Sequence, residues 1–255
     1  MNWELIVDGH IIIYSDYKYK SKQYNIEMFL ESKDFKNFIK TLDNKYIIIL
    51  GWDGTMLSAI QKYFTRNIPF LGINFWNKGF LLQNKSIILE DNKYTNKKYS
   101  LFDVYIDWEK KSTFINEINI SAMSGKMWNF EVKLWNKEKL QIKWDWLIIA
   151  TPLGSTAYNN SLWWPILSHY SQSIVLTPKA SWEPKHLPSI VLSEDEEIFI
   201  KNIWRHHGLE IFTDSIKVQE NCNSVEIKIC KSEFILQFAI AQNQEEIWEN
   251  KIFEF

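Results

Sequence analysis

A candidate phosphate-binding turn lies at residues 51–55, where Gly-Trp-Asp-Gly-Thr follows a short apolar run. The turn separates a predicted strand from a predicted helix. The first amide groups of a helix offer unpaired N–H donors and the positive end of the helix dipole, and both attract anions. Trp52 is unexpected here, because a main chain that wraps a phosphate needs small residues. On spacing alone, Asp53 or Thr55 could equally be an ordinary N-cap that contributes about 1 kcal/mol.

Two other polar stretches follow or interrupt apolar runs. Thr151–Ser161 comes directly after a predicted strand, and most of its side chains can form hydrogen bonds. A polar loop whose path is fixed by proline and glycine is a candidate ligand site, although a turn capped by serine or threonine would have the same composition. Asn116 and Glu117 interrupt an apolar predicted strand, where buried polar side chains need partners. They could bind hydroxyl groups of a substrate or lie at a β-bulge.

The elements that would position these residues begin with an α/β pattern. Residues up to about 90 alternate between helix and strand signals, which is typical of a parallel α/β sheet. The predicted elements are a helix at Ser32–Leu42, a strand at Tyr46–Leu50, a helix at Met56–Phe64 and a strand at Pro69–Asn74.

The pattern changes to short β-type runs after about residue 92. Several runs alternate apolar and polar residues, which is typical of half-exposed antiparallel strands. A short helix is predicted at Ser155–Leu162. The predicted strands are Leu101–Trp108, Phe114–Ser121, Asn129–Leu134, Trp146–Thr151, Ser173–Leu176, Ser189–Leu192 and Val225–Ile229.

Length and composition fit a two-domain protein of the cytoplasm. The chain has 255 residues and a net charge of −2, which gives no indication of broad binding to nucleic acid or to an anionic membrane. Its apolar runs are too short to cross a bilayer, and no secretory signal is visible. We expect residues 1–94 to form one domain, residues 95–232 a second, and residues 233–255 a segment that could return to the first. Cys222 and Cys230 are expected to be reduced thiols.

Together these stretches resemble one family, the NAD kinases. The glycine–aspartate turn is shared with diacylglycerol kinases and phosphofructokinases, whereas the Thr-Pro-x-Gly-Ser-Thr-Ala-Tyr segment with the Asn-Glu pair is specific to NAD kinases. The resemblance implies a Rossmann-like N-terminal α/β domain and a β-rich C-terminal domain, with the active site between them. The matching stretches, in the same order and at similar spacing, are Gly51–Leu57, Gly72–Leu82, Asn116-Glu117, Lys143–Ile166 and Ile174–Ala180.

The resemblance also implies a reaction. NAD kinases transfer the γ-phosphoryl group of ATP, or in some members a phosphoryl group of inorganic polyphosphate, to the 2′-hydroxyl of the adenosine ribose of NAD. Asp53 would accept or orient the proton of that hydroxyl, which is a poor nucleophile until the proton is removed. Gly51, Gly54 and Thr55 would line the phosphate loop, and Mg²⁺ or another divalent metal would screen the triphosphate without an assigned protein ligand. Family members are commonly homodimers or homotetramers, and we expect the same.

For NAD, the resemblance implies a set of binding residues. Asn116 and Glu117 would hold polar groups on the adenosine side, and Asp145 would lie near the nicotinamide ribose. Lys143 stands where many members have arginine, so it keeps the charge but loses the bidentate fork. The remainder of the pocket would consist of Thr156, Ala157, Tyr158, Asn159, Asn160, Ser161 and Ala180.

Six tryptophans stand where the family has glycine. We hypothesise that these positions are glycine in the organism, because UGA codons are read as glycine in some bacterial codes and as tryptophan in others. Tryptophan there is expected to be strained, since a left-handed backbone costs a non-glycine residue about 1–2 kcal/mol and bulk in a packed site costs about 1–3 kcal/mol. The alternative is that they are genuine core residues of a diverged, inactive homologue. The six are Trp52, Trp76, Trp144, Trp146, Trp163 and Trp164.

Two other functions stay open. A lipid kinase of the diacylglycerol kinase type would share the fold and the glycine–aspartate turn, without a requirement for Thr156–Ser161. A non-catalytic NAD-binding protein is favoured if Trp52 is genuine, because the phosphate loop would then be blocked. NADP formation by a chain with these tryptophans changed to glycine would separate the three functions.

Overall fold

The computed structural model describes residues 2–15, 20–76, 79–86, 93–122, 128–134, 139–156, 165–179, 184–185, 187–202, 209–219, 225–244 and 246–247. The chain forms two compact units. The first contains the residues up to Tyr99 together with those from Phe234 onward, and the second is Ser100–Glu233. Within the described residues, no helix is both long and apolar enough to cross a membrane.

The first unit is an α/β structure built on parallel strands. Its helices are α1 (Lys20–Glu31), α2 (Lys33–Thr41) and α3 (Asp53–Tyr63), and its strands are β1 (Asn2–Val7), β2 (His10–Ser15), β3 (Ile47–Gly51), β4 (Phe70–Asn74) and β5 (Gln83–Asn84). Strands β2, β3 and β4 are parallel neighbours, and β1 pairs antiparallel with β2. Every residue of β3 is buried, as expected for a strand that is covered on both faces.

Helix α2 illustrates how the sequence specifies this unit. The Ser32 hydroxyl accepts the N–H of Phe35 at 3.1 Å and so caps the first turn. Phe35, Phe38 and Ile39 recur at helical spacing and are buried in the hydrophobic cluster that also contains residues of β3 and β4.

The second unit consists of β structure. Its strands are β6 (Tyr94–Ile106), β7 (Glu109–Phe114), β8 (Glu117–Ala122), β9 (Trp128–Leu134), β10 (Leu140–Trp144), β11 (Trp146–Ala150), β12 (Ser173–Lys179), β13 (Ile190–Ser193), β14 (Ile198–Asn202), β15 (Leu209–Thr213), β16 (Ile216–Gln219) and β17 (Glu226–Ala241). Six of them form an antiparallel sheet in the order β13-β12-β11-β8-β15-β16. The first half of β17 pairs with β14, and the second half belongs to the first unit, where Phe238 pairs with Phe70.

Three hairpins turn through two residues that both have positive φ, the signature of a type I′ turn. The turn between β1 and β2 is Asp8-Gly9, with φ of 49° and 84°. The turn between β6 and β7 is Asp107-Trp108, with φ of 48° and 68°. The turn between β15 and β16 is Asp214-Ser215, with φ of 47° and 66°. Aspartate is therefore the first central residue of each turn.

Most predicted elements agree with the observed ones within a few residues, but the predicted strand Phe114–Ser121 does not. It is broken at residues 115–116, which form a turn between β7 and β8. The β1–β2 hairpin was not predicted, although its Asp-Gly turn is a recognised hairpin signal.

Candidate active site

The glycine–aspartate turn joins β3 to α3 in the first unit. A Cβ added to Gly51, the last residue of β3, would lie 2.6 Å from Oγ1 of Thr55 and 2.8 Å from Oγ of Ser15. Any larger residue would therefore clash with both side chains. The hydroxyl groups of Ser15 and Thr55 are hydrogen-bonded to each other and buried. The main chain of Thr55 is thus available to line a phosphate loop, whereas its hydroxyl is hydrogen-bonded to Ser15.

Asp53 is the first residue of α3, and both of its carboxylate oxygens are held by main-chain N–H groups. Oδ2 accepts the N–H of Phe80 at 2.8 Å, and Oδ1 accepts the N–H of Leu81 at 2.9 Å. The interpretation of Asp53 or Thr55 as an ordinary N-cap is wrong, since the N-cap is Trp52, whose side chain makes no capping bond. The Asp53 carboxylate is therefore fixed in orientation by a loop distant in sequence.

Trp52 covers part of this turn. Its backbone is extended, with φ −142° and ψ 176°, and it is 48% exposed. A Cβ added to Gly54 would lie 3.0 Å from Cζ2 of the indole ring, so the ring lies against the first turn of α3. The ring centroid of Trp76 is 6.4 Å away. The two indoles together form an exposed aromatic pair beside the predicted phosphate loop.

The expectation of left-handed backbone at the tryptophans is wrong where it can be checked, because Trp52, Trp76, Trp144 and Trp146 all lack a positive φ. Trp144 differs from the exposed pair in being buried. It stacks on Phe130 with ring centroids 4.7 Å apart, and among the described residues its indole Nε1 has no hydrogen-bond partner. An unpaired buried donor costs about 1–3 kcal/mol. The energetic cost of tryptophan at position 144 therefore comes from the buried, unpaired indole N–H and not from the backbone conformation.

The turn between β7 and β8 contains the Asn-Glu pair and is held on two sides. The Asp214 carboxylate accepts the three successive N–H groups of residues 115–117, at 2.9, 2.7 and 3.3 Å. On the carbonyl side, the Thr151 N–H donates to the Asn116 oxygen at 2.9 Å, and the Thr151 hydroxyl donates to the Ile115 oxygen at 2.6 Å. Asn116 and Glu117 thus lie in a clamped turn, and their interpretation as a β-bulge is wrong.

Buried polar atoms without partners project from this turn. Asn116 Oδ1 and Glu117 Oε2 are buried and have no hydrogen-bond partner within the described residues. Oδ1 of Asp145, the residue between β10 and β11, is a third such atom. Buried polar atoms in native proteins are nearly always paired, so these three are candidate contacts for a ligand or for residues outside the described part of the chain.

The chemistry of Glu117 is altered by its surroundings. Burial, and secondarily the negative charge of Asp214, raise the pKa of Glu117 to about 8. The side chain is therefore mainly protonated at neutral pH and has both a donor O–H and an acceptor oxygen. A neutral acid suits the hydroxyl groups and ring nitrogens of a nucleotide.

A short 3₁₀ turn at Gly154–Thr156 packs on the Asn-Glu turn. A Cβ added to Gly154 would lie 1.9 Å from the carbonyl oxygen of Asn116, so only glycine permits this approach. Thr156 is buried, and its hydroxyl donates to the Leu153 carbonyl at 3.1 Å. The predicted helix at Ser155–Leu162 is described only over its first two residues, which belong to this 3₁₀ turn. The remaining predicted residues lie outside the described residues: Ala157, Tyr158, Asn159, Asn160, Ser161, Ala180, Trp163 and Trp164.

Asp145 and the Asn-Glu pair lie at opposite ends of one strand pair. Glu117 faces Ala150 in the β8–β11 register, and the Ala122 N–H donates to the Asp145 carbonyl at 3.0 Å. Five residues of extended strand separate these ends, which is roughly 16 Å. Lys143 is half-buried on β10, opposite Asn129 of β9.

Comparison with known proteins identifies the family. The family model for the ATP-NAD kinase C-terminal domain matches residues 114–240. The NAD kinase of Rickettsia prowazekii is 30% identical over 190 residues, which cover 71% of this chain and 74% of that protein. The chain belongs to the NAD kinase family. The NAD kinase of Flavobacterium johnsoniae is 31% identical over 223 residues, covering 80% of this chain and 75% of that protein.

Solved structures of the NAD kinase family share the fold. Yeast NADH kinase complexed with NADH has a TM-score of 0.70 at 20% identity, covering 82% of this chain and 66% of that chain. An NAD kinase from Archaeoglobus fulgidus in complex with ATP has a TM-score of 0.68 at 21% identity. The match covers 96% of this chain and 98% of that chain. The predicted fold class, a Rossmann-like α/β domain followed by a β-rich domain, is thereby confirmed.

The sequence interpretation missed Asp214 and Ser15, both of which contact the NAD kinase motifs. The Asp-Ser pair between two apolar runs indicates a hairpin turn. Nothing in that pattern indicates that the Asp214 carboxylate reaches a turn about a hundred residues earlier in the chain. Ser15 ends an apolar strand and has no local signal of its contact with Thr55.

Proposed function

We propose that the chain is an NAD kinase that transfers the γ-phosphoryl group of ATP to the 2′-hydroxyl of the adenosine ribose of NAD, which yields NADP and ADP. The observation that carries this proposal is the clamped Asn-Glu turn, from which Asn116 Oδ1 and Glu117 Oε2 project, buried and without a hydrogen-bond partner in the part of the chain that the structure describes. Membership of the NAD kinase family supports the same reaction.

For NAD, we assign the adenosine side to Asn116 and Glu117 and the nicotinamide ribose to Asp145. The separation of these groups along the β8–β11 pair favours an elongated ligand with polar groups at both ends. A protonated Glu117 can donate to a ring nitrogen or to a hydroxyl oxygen without bringing a second negative charge near the pyrophosphate. Thr156 would support the loop main chain, because its hydroxyl is already bonded to Leu153.

For the chemical step, we assign Asp53 as the group that receives the proton of the 2′-hydroxyl. The two N–H groups that hold its carboxylate fix the direction of the oxygens before the substrate binds. Removal of a positioned general base typically lowers the rate about 10²–10⁴-fold. Gly51, Gly54 and the main chain of Thr55 would bind the phosphates of ATP at the N-terminus of α3.

A divalent metal fits this arrangement only as a partner of ATP. Within the described residues, no group of three or more His, Cys, Asp or Glu side chains could hold a metal ion. Mg²⁺ commonly binds nucleotides through the phosphates with one or two carboxylates. We therefore propose that Mg²⁺ would be held by the phosphates of ATP and would supply positive charge against the triphosphate, and that Asp53 is the carboxylate of the donor turn that could contact it.

The Trp52 ring favours a second candidate, a non-catalytic NAD-binding homologue. The indole lies against Gly54 at the start of α3, where phosphates would bind. Our proposal includes glycine at position 52 in the native protein, which would uncover these amide groups. The two candidates differ in one measurable property, since only the kinase produces NADP.

The test compares three purified chains: the sequence as given, a chain with the six motif tryptophans changed to glycine, and that glycine chain carrying Asp53→Asn. With ATP, Mg²⁺ and NAD, we expect NADP from the glycine chain, and at least a hundredfold less from the Asp53→Asn variant. NAD affinity should be equal in the last two chains. A glycine chain that binds NAD and ATP but makes no NADP would refute the kinase assignment.

We further propose that the two compact units correspond to the donor domain and the NAD-binding domain. Family members are expected to be homodimers or homotetramers of the cytoplasm, and we propose the same for this chain. Size-exclusion chromatography with light scattering would measure the oligomer, and a monomer at micromolar concentration would contradict it.

A further inference from the structure

Asp214 is a buried charge that none of the assigned roles uses. It is the first central residue of the β15–β16 turn and is only 6% exposed. Asp107 occupies the same position in the β6–β7 turn, but it is exposed and accepts a single N–H, that of Glu226, at 3.0 Å. The turn type therefore does not require burial of the aspartate.

Asp214 makes four hydrogen bonds to the Asn-Glu turn. Its carboxylate accepts the N–H groups of residues 115–117, and its own N–H donates to the Glu117 carbonyl at 3.0 Å. Hydrogen bonds to an ionised carboxylate are about twice as strong as neutral ones. Asp214 therefore holds the N–H side of the turn, as Thr151 holds its carbonyl side, and the side chains of Asn116 and Glu117 project from this main chain.

We propose that Asp214 is a positioning residue for NAD, acting through the Asn116–Glu117 turn. It holds the turn in the binding conformation. Burial is the main reason that the pKa of Glu117 is raised, and the nearby Asp214 carboxylate raises that pKa further because two carboxylates in proximity resist ionising together. Asp214 is the charged side chain that acts on Glu117. The proposal rests on the proposed function only in taking NAD as the ligand of this turn.

The experiment uses as its parent the glycine chain defined above, in which the six motif tryptophans are changed to glycine. NAD and ATP affinities are measured by calorimetry at pH 7 for this parent and for the same chain carrying Asp214→Asn or the matched control Asp107→Asn. We expect Asp214→Asn to weaken NAD binding at least about tenfold, because an amide cannot accept all three N–H groups. ATP affinity should stay unchanged in Asp214→Asn, and Asp107→Asn should change neither affinity. Parental NAD affinity in Asp214→Asn, or an equal loss for both nucleotides, would overturn the proposal. A parent chain that binds no NAD would instead count against the proposed function.

A pH series separates positioning from a general structural defect. NAD affinity of the parent should decline above about pH 8, where Glu117 ionises. In Asp214→Asn this decline should begin at lower pH, whereas a merely loosened fold would weaken binding equally at every pH. Asp214→Glu keeps the charge and both oxygens, so it should fold and keep the parental pH midpoint, while its extra methylene weakens NAD binding. If Asp214→Asn does not fold, Asp214→Glu decides the question. An Asp214→Glu chain that binds NAD as tightly as the parent would then also overturn the proposal.

Trp108 carries a second, independent inference. It is the second central residue of the Asp107-Trp108 turn, with φ 68°, and it is 70% exposed. A bulky residue at positive φ is an outlier, and this turn position strongly favours glycine after aspartate. Gly9 occupies the same position in the β1–β2 turn. Unlike the six motif tryptophans, Trp108 lies in no nucleotide-binding stretch, so its evidence is purely conformational.

We infer that residue 108 is glycine in the protein as its own organism makes it. The tryptic peptide Tyr99–Lys110 from the native host should have the mass of the glycine form, and the tryptophan mass would overturn the inference. In recombinant protein, Trp108→Ala and Trp108→Gly both lose the ring contact with Phe199, and only glycine relieves the positive φ. The unfolding equilibrium constant of Trp108→Gly should therefore be about tenfold lower than that of Trp108→Ala. Equal stability of the two variants, or a less stable glycine variant, would contradict the conformational argument.

Discussion

Replacement of Gly154 by alanine tests whether the loop after β11 sets the shape of the NAD-binding turn. A Cβ at this position would lie 1.9 Å from the Asn116 carbonyl oxygen and 2.3 Å from its carbonyl carbon. Ordinary contact begins at 3.4 Å, so one of the two backbones must move by about 1.5 Å. The same carbonyl accepts the Thr151 N–H at 2.9 Å, and that bond would break.

The expected loss of stability in Gly154→Ala is the sum of the overpacking and the broken hydrogen bond. Overpacking costs about 1–3 kcal/mol and a lost hydrogen bond about 1 kcal/mol, which together lower the midpoint of thermal unfolding by about 6–12 °C. NAD affinity should fall at least about tenfold, because the Asn116 side chain moves with its main chain. Differential scanning fluorimetry and NAD calorimetry measure both effects.

The matched control for Gly154→Ala is Gly9→Ala. Gly9 has φ 84° but open space, with Lys45 Cε 3.7 Å from the added Cβ. Its cost is therefore backbone strain of about 1–2 kcal/mol, with no effect on NAD binding. If Gly154→Ala unfolds within about 2 °C of the parent and binds NAD normally, the close packing of the two turns is refuted.

Three further outcomes are expected. Gly51→Ala should weaken ATP binding and leave NAD binding intact, because the added Cβ would lie 2.6 Å from Thr55 Oγ1. This is the reverse of the result expected for Gly154→Ala. Calorimetry with each nucleotide on both variants measures the difference, and a Gly51→Ala chain with the ATP affinity of the parent would contradict the prediction. Folding raises the pKa of Glu117 from 4.5 to about 8, so this group stabilises the protein fully below about pH 4.5 and loses that contribution as pH rises through 8. The midpoint of thermal unfolding should therefore decline more between pH 5 and 9 in the parent than in Glu117→Gln. If the midpoint falls equally with pH in both chains, the pKa of Glu117 is not raised. Ser32→Ala should destabilise the chain by about 1 kcal/mol without changing NAD affinity, and an unaltered thermal midpoint would mean that the N-cap of α2 contributes nothing.

Local pattern was sufficient to predict four of the eight described elements of the first unit, namely α2, β3, α3 and β4, whereas α1, β1, β2 and β5 were not predicted. The predicted helix Ser32–Leu42 corresponds to α2 with its N-cap, and the predicted strand Tyr46–Leu50 corresponds to β3 shifted by one residue. Both depend on apolar spacing and capping within a few residues of sequence. The β1–β2 hairpin had an equally local signal in its Asp8-Gly9 turn, which was overlooked.

The Asn-Glu turn could not be predicted in the same way. An apolar run from residue 114 to 121 favours one continuous strand, and the break at 115–116 exists because Asp214 and Thr151 satisfy the main-chain groups that a strand neighbour would otherwise bind. Those partners are 98 and 36 residues away in sequence. The resemblance to NAD kinases identified the pair as functional, whereas its geometry depends on contacts that no local pattern encodes.

The backbone conformation at the motif tryptophans could not be predicted from the family's glycines. Left-handed backbone was expected because glycine often provides it, but Trp52 is extended and exposed. Glycine at a phosphate turn can equally serve to leave space for a ligand. The backbone criterion applies instead at Trp108, which belongs to none of the matching stretches.

Under the proposed assignment of residues 115–117 to NAD, binding depends on a carboxylate that is synthesised 98 residues after Asn116. The polypeptide must be synthesised as far as Asp214, and its last hairpins must close, before these three amides acquire their partners. A nascent or partly unfolded chain would therefore leave NAD unbound. Free cellular NAD would stabilise only finished molecules, by an amount that grows with the logarithm of its concentration.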